Sequence, residues 1–274
     1  MTNGESSTAG RGVPGARMPV VFVSHGSPMV AIETGPYQEA LERFGREHRP
    51  GAMVVISAHW ESGDTVGIAS AAQHRLVYDF GGFPRELYEL TYPAAGDPGL
   101  ARRIDGMLRT GDVRSALDPV RGWDHGVWVP LRLIYPKADV PIVELSIPGG
   151  LSPAELFRIG GLLSPLRSEG VVILGSGGIV HNLGRLDWRR RDGPAQQWAL
   201  DFDRWFASKL EAWDIEALLR YQRTAPFAAL AVPTNEHFHP LFVVLGAAGG
   251  QGRIEHVYEG FQYGTLSMRS FAVA

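Results

Sequence analysis

The chain has 274 residues, 45% hydrophobic and 20% charged, which suits one sizeable α/β domain and excludes a disordered, collagen-like or coiled-coil chain. A formal net charge of −3 shows no basic excess, and the one dense basic run, residues 189–191, reads as a solvated loop, so nucleic acid is not an expected partner. With no cysteine, disulfides, thiolate zinc sites, iron–sulfur clusters and cysteine nucleophiles are excluded, and any metal must be held by histidine and carboxylate.

Residues 1–17 are rich in Gly, Ser, Thr and Ala and lack an apolar core, so they read as a disordered N-terminal arm and not as a signal peptide. No stretch of 18 apolar residues follows, so neither a transmembrane helix nor a membrane partner is expected, and the protein is placed in the cytoplasm. The run Pro19 to Ser24 then reads as a buried strand that delivers His25 into a tight Gly/Pro turn. Gly35-Pro36 opens a helix with Tyr37, Leu41 and Phe44 on one face.

A second strand, Ala52 to Ser57, leads to His59, and a shorter apolar run covers residues 64–70. Residues 77–93 (VYDFGGFPRELYELTYP) combine two Gly, two Pro and five aromatics, which suits an ordered loop forming a pocket wall. Asp97-Pro98 caps the next helix; a Trp123-Asp124-His125-Gly126 loop, a short buried helix over 127–135 and a strand over 140–147 follow. Ser152-Pro153-Ala154-Glu155 is a capping box, and the strand from Val171 runs into His181.

From Pro194, Trp198, Phe202, Trp205 and Phe206 share one helical face, which reads as core packing. A short helix covers 241–246, and residues 254–274 read as two strands. This alternation predicts an α/β fold: a single domain over 18–274, with a mainly parallel central sheet, helices on both faces and antiparallel strands at one edge.

Five of the nine histidines sit in Gly, Pro or Asn turns beside predicted element ends: His25, His59, His125, His181 and His237. One such imidazole is ordinarily structural, but five at the rim of one sheet point to a shared cleft. His48, His74 and His256 read as surface or structural. Rigid strand ends suit metal chemistry, which needs neutral imidazoles or carboxylates aimed inward and positions left open for substrate. In the 236–239 cluster, Glu236 or His237 can supply a third ligand, while Pro240 disfavours helix for His239 and removes any resemblance to a His-Glu-x-x-His helix. Gly175-Ser176-Gly177-Gly178 lacks the third glycine of a dinucleotide fingerprint, because Val180 stands there. Ser27 lies outside a G-x-S-x-G elbow.

These motifs together resemble the class III extradiol ring-cleavage dioxygenases, in particular the 4,5-DOPA extradiol dioxygenase group of the protocatechuate 4,5-dioxygenase β-subunit family. The resemblance spans nearly all of 18–274 and is carried by HGSPM from His25, SAHW from Ser57, YDFGGFP from Tyr78, WDHG from Trp123, VHNL from Val180 and PTNEHFHPLFVVLG from Pro233. It implies a mononuclear non-haem metal, Fe(II) in the active enzyme and Zn(II) in isolated protein, held by His25, His59 and His237. It implies that His181 is the acid/base residue, with a fourth-ligand role open to it, and that His125 contacts substrate or oxygen. Substrates would be a small aromatic diol and O2, and the protein a monomer or small homo-oligomer. The competing readings are a zinc-dependent hydrolase on a similar scaffold and a non-catalytic metal-binding scaffold protein.

Overall fold

The computed structural model describes residues 17–274; the expected N-terminal arm, apart from Arg17, lies outside the described residues. Among the described residues there are ten strands: β1 Val20–Ser24, β2 Ala52–Ser62, β3 Val66–Ala69, β4 Ser115–Asp118, β5 Ile142–Pro148, β6 Val171–Gly177, β7 Ile254–Tyr258, β8 Phe261–Gln262, β9 Leu266–Ser267 and β10 Ser270–Val273. Eight of them form one sheet in the order β4-β3-β5-β2-β6-β1-β10-β7, and β8 pairs with β9 separately. The central β5-β2-β6-β1 block is parallel, as long helical crossovers require.

Antiparallel pairing occurs at both edges, β1 with β10 and β5 with β3, where the sequence reading placed it at one. At the second edge only residues 63–65 separate β2 from β3, too few for a crossover, so the chain reverses. The C-terminal stretch, read as two strands, divides into four because irregular backbone at 259–260 and 268–269 and a turn at 263–265 interrupt it.

Alternate strand residues pack on opposite faces. Val20, Phe22, Val54, Ile56 and Ile173 join the helices Pro98–Thr110, Pro153–Leu163, Gln197–Glu211 and Pro240–Ala248 in one core. Val21, Val23, Met53, Val55 and Leu174 meet the helices Pro36–Glu47 and His125–Ile134 in the other. The two caps read from sequence are present: Asp97 accepts from the backbone N–H of Gly99 and Leu100 at 3.0 and 2.9 Å, and Ser152 and Glu155 form a reciprocal capping box. Within the 77–93 loop one short helix, Arg85–Glu89, is added. Among the described residues no helix is long and apolar enough to cross a membrane.

Candidate metal centre and substrate cavity

The functional histidines gather where the parallel strands end. His25 follows β1, continues its ladder by donating its N–H to the Gly177 carbonyl at 3.1 Å, and turns away through Gly26. Gly26 has φ +68°, and a Cβ there would lie 2.6 Å from Met268 Cε, so glycine is required for this turn. β2 carries His59 differently. Its pairing with β5 jumps from Ile56↔Leu145 to Glu61↔Ile147, so extra residues bulge from the ladder and aim His59 inward. That bulge is why β2 runs on to Ser62, beyond the expected strand end.

His125 is the first residue of its helix, and His237 lies in a turn laid across the end of β6. A Cβ on Gly177 would come within 2.0 Å of the His237 carbonyl oxygen, so this glycine serves close backbone packing, and the 175–178 run needs no nucleotide to explain it. His239 takes helical backbone (φ −61°, ψ −37°) despite the following proline: packing of the Pro240–Ala248 helix against the sheet overrides the local bias.

Hydrogen bonds behind the rings decide which nitrogens face the cleft. Ser176 donates its one proton to the Gly126 carbonyl at 2.5 Å, so it must accept from His25 Nδ1 at 2.9 Å. Neutral His25 therefore presents a bare Nε2. Asp79 accepts from the His125 backbone N–H and Nδ1 at 3.0 and 2.8 Å through Oδ1, and its Oδ2 stands 3.3 Å from His59 Nδ1. Glu236 Oε1 lies 3.1 Å from His237 Nδ1 and accepts from Thr234 Oγ1 at 2.8 Å.

His25 Nε2 and His59 Nε2 face each other at 3.1 Å; with His59 in the Nδ1–H form that the nearby Asp79 carboxylate favours, two lone pairs meet there and repel unless a cation stands between them. With metal–nitrogen bonds of about 2.1 Å, two donors at right angles are separated by about 3 Å, so the pair fits one ion. His237 Nε2 is buried with no hydrogen-bond partner, a further orphan suited to a ligand. The donor atoms of His25, His59 and His125 lie within 4.8 Å of one another, and those of His181, Glu236 and His237 form a second such set. The sets adjoin: the His237 ring centroid is 5.2 Å from that of His25 and 4.9 Å from that of His59. The triad expected from sequence is thus spread over both sets, and His125 joins His25 and His59 in the first. His181 stacks on His237 with centroids 3.5 Å apart and planes 7° apart.

Burial, reinforced by neighbouring histidines, holds His25 and His237 well below the usual imidazole pKa. Burial likewise lowers His59 and His181 to about 4, so these rings are neutral and ready to ligate near pH 7. Asp79 is pulled the other way: burial raises it, but the hydrogen bonds and charge of His125 and the nearby His59 outweigh that and leave it at about 2.

These rings floor a cavity of about 320 Å³. Its walls are apolar: Phe80 and Phe83 from the 77–93 loop, Leu183, Leu186 and Trp188 from the segment after His181, and Leu266. The aromatic loop is a wall as expected, although Tyr92 is buried away from the cavity with its hydroxyl on the Tyr135 carbonyl. Sequence reasoning did not single out Asp79, Ser176 or Trp188. Asp79 alone carried a signal, as the one carboxylate in the first half of an aromatic and glycine run. The four other histidines stay outside this cavity: His74, for instance, packs on Trp123 with centroids 3.9 Å apart.

Residues 19–274 match the family model described as the catalytic LigB subunit of aromatic ring-opening dioxygenase. The chain belongs to this family. Among curated relatives, 4,5-DOPA dioxygenase extradiol of Beta vulgaris is 39% identical, covering 91% of this chain and 94% of that protein. The Escherichia coli K12 protein of the same name is 38% identical, covering 94% and 95%. A crystal structure of an uncharacterised Escherichia coli K12 protein superposes with a TM-score of 0.81 at 35% identity, covering 94% of this chain and all of that one. This LigB-family protein is an extradiol aromatic ring-opening dioxygenase, an oxidoreductase that uses O2 and an aromatic substrate, in a metal-dependent family.

Proposed function

We propose that His25, His59 and His237 hold a mononuclear Fe(II), with Zn(II) able to occupy the same donors, and that the substrate is a DOPA-like catechol. The observation that carries this is the pair of Nε2 atoms facing at 3.1 Å at the floor of an apolar cavity. The orphaned Nε2 of His237 favours that residue as third ligand, and Glu236, engaged with Thr234 and with His237 Nδ1, serves to orient it. A bound Fe(II) supplies a Lewis-acid anchor for the diol oxygens and a route for electron density from the ring to dioxygen.

The remaining roles belong to the chain. His125, its Nδ1 proton committed to Asp79, offers Nε2 as an acceptor for a diol hydroxyl. His181, neutral and stacked on His237, takes up a diol proton and returns it when the O–O bond breaks. Phe80, Phe83, Leu183 and Leu186 pack the ring and exclude water. Both atoms of O2 enter the product, a ring-opened semialdehyde acid. We also propose a cytoplasmic location, where the reducing poise favours the ferrous state, and a monomer or small homo-oligomer.

Reconstitution with Fe(II) without air, followed by oxygen-electrode and ultraviolet–visible assays on DOPA, caffeate, protocatechuate and catechol, tests the reading. Oxygen uptake with a yellow chromophore is expected for at least DOPA. Turnover that continues without oxygen would assign the site to hydrolysis instead.

A further inference from the structure

We infer that Asp79 is a positioning residue that serves two imidazoles at once, His59 on the metal side of the site and His125 on the substrate side. This rests on the proposed reading of the site as a metal centre facing a diol. Asp79 lies in the 77–93 loop, yet its backbone neighbourhood is fixed against the element that carries His125. Val77 donates its N–H to the Trp123 carbonyl at 2.7 Å, and Trp128, one turn into the His125 helix, donates its indole N–H to the Val77 carbonyl at 3.2 Å. The carboxylate therefore arrives at a set place, only 24% exposed, with Oδ1 on His125 and Oδ2 beside His59.

A carboxylate offers acceptors only, so each ring nitrogen that faces it must carry the proton. His125 is then held as the Nδ1–H tautomer by a hydrogen bond, and the negative charge 3.3 Å from His59 Nδ1 favours the same tautomer there; both turn Nε2 into the cleft, and their ring centroids are 4.0 Å apart. One anion thus sets the register between a ligand and a substrate contact. Ser176 does this for His25 alone. An amide at position 79 keeps the shape but has one acceptor atom, so it can satisfy one Nδ1–H and must leave the other ring to turn or to change tautomer.

The test uses Asp79→Asn and Ser176→Ala in the full chain, with zinc as probe. Imidazole 15N NMR of the zinc-loaded protein reads the tautomers, and zinc titration reads the ligand side. In the parent, His125 is expected as the Nδ1–H form. In D79N the single acceptor oxygen serves one ring only, so one of two changes is expected: His125 populates the Nε2–H form, or the oxygen stays on His125 and zinc affinity falls about 10- to 100-fold, the usual cost of losing an orienting partner behind a ligand. S176A is expected to weaken zinc while leaving the His125 tautomer untouched, and an unchanged His25 tautomer in D79N shows that the isosteric variant keeps the fold. A D79N protein that both retains the His125 tautomer and binds zinc as tightly as the parent overturns the double role. Neither readout uses dioxygen or a catechol, so absent ring cleavage would count against the proposed function without touching this inference.

Discussion

The two sides of the cleft are built on different principles. His25, His59 and His125 stand on strand ends and a helix start, each with its Nδ1 facing an oxygen of Ser176 or Asp79. His181 and His237 sit in turns after β6 and before Pro240, stacked on one another, and among the described residues the His181 ring has no side-chain hydrogen bond. A ligand needs fixed direction, whereas a proton carrier needs freedom to change protonation state, so anchoring behind the ring separates the two roles. His237 lies on the boundary, anchored by Glu236 yet stacked on His181.

The sharpest way to break this division is to remove rings from each side. His25→Ala and His237→Ala should each abolish stoichiometric metal binding, measured by elemental analysis after Fe(II) or Zn(II) loading; full metal content in both would sink the ligand set. His181→Ala should keep the metal and lose turnover by about 10²- to 10⁴-fold, the usual contribution of a general acid–base group. Oxygen uptake at the parent rate in that variant would place the proton carrier elsewhere.

The fold was largely legible because its signals are local. Val-rich runs marked β1, β2, β5 and β6, and Asp97 and Ser152 marked helix starts by side-chain chemistry that acts within three residues. The five histidines were legible because each follows such an element. What sequence could not display was the register. The bulge that turns His59 inward depends on β5 pairing, and the contacts of Asp79 with His59 and His125 span 20 and 46 residues. The antiparallel edge at β3 escaped notice for the same reason: it depends on which strand β3 meets, not on its own pattern.

Acid should expose the desolvation of the cleft. His59 and His181 have folded-state values of about 4 against an ordinary 6.5, so between these values the unfolded chain binds more protons than the folded one. Their contribution to metal-free stability is complete above about pH 6.5 and lost as pH falls toward 4, on the order of 3 kcal/mol for each ring. Urea unfolding of the metal-free protein at pH 7.5, 5.5 and 4.5 checks this; a flat profile would mean that the rings are more hydrated than their burial implies.

The smallest effect concerns the outer wall. Trp188 lines the cavity, packs on Tyr263 with centroids 5.0 Å apart, and still leaves 54% of its surface exposed. Exposed indole at the mouth of an apolar cavity is surface that a substrate's ring substituent can cover. It lies on the segment beyond His181, away from the anchored rings of the other side. Trp188→Ala should therefore leave metal content and unsubstituted catechol turnover intact. It should raise KM for catechols with an extended 4-substituent by about 5-fold, as loss of about 1 kcal/mol of apolar burial requires. An equal rise in KM for catechol itself would show that Trp188 packs the reacting ring, and would move the substituent to the Phe80 and Phe83 wall.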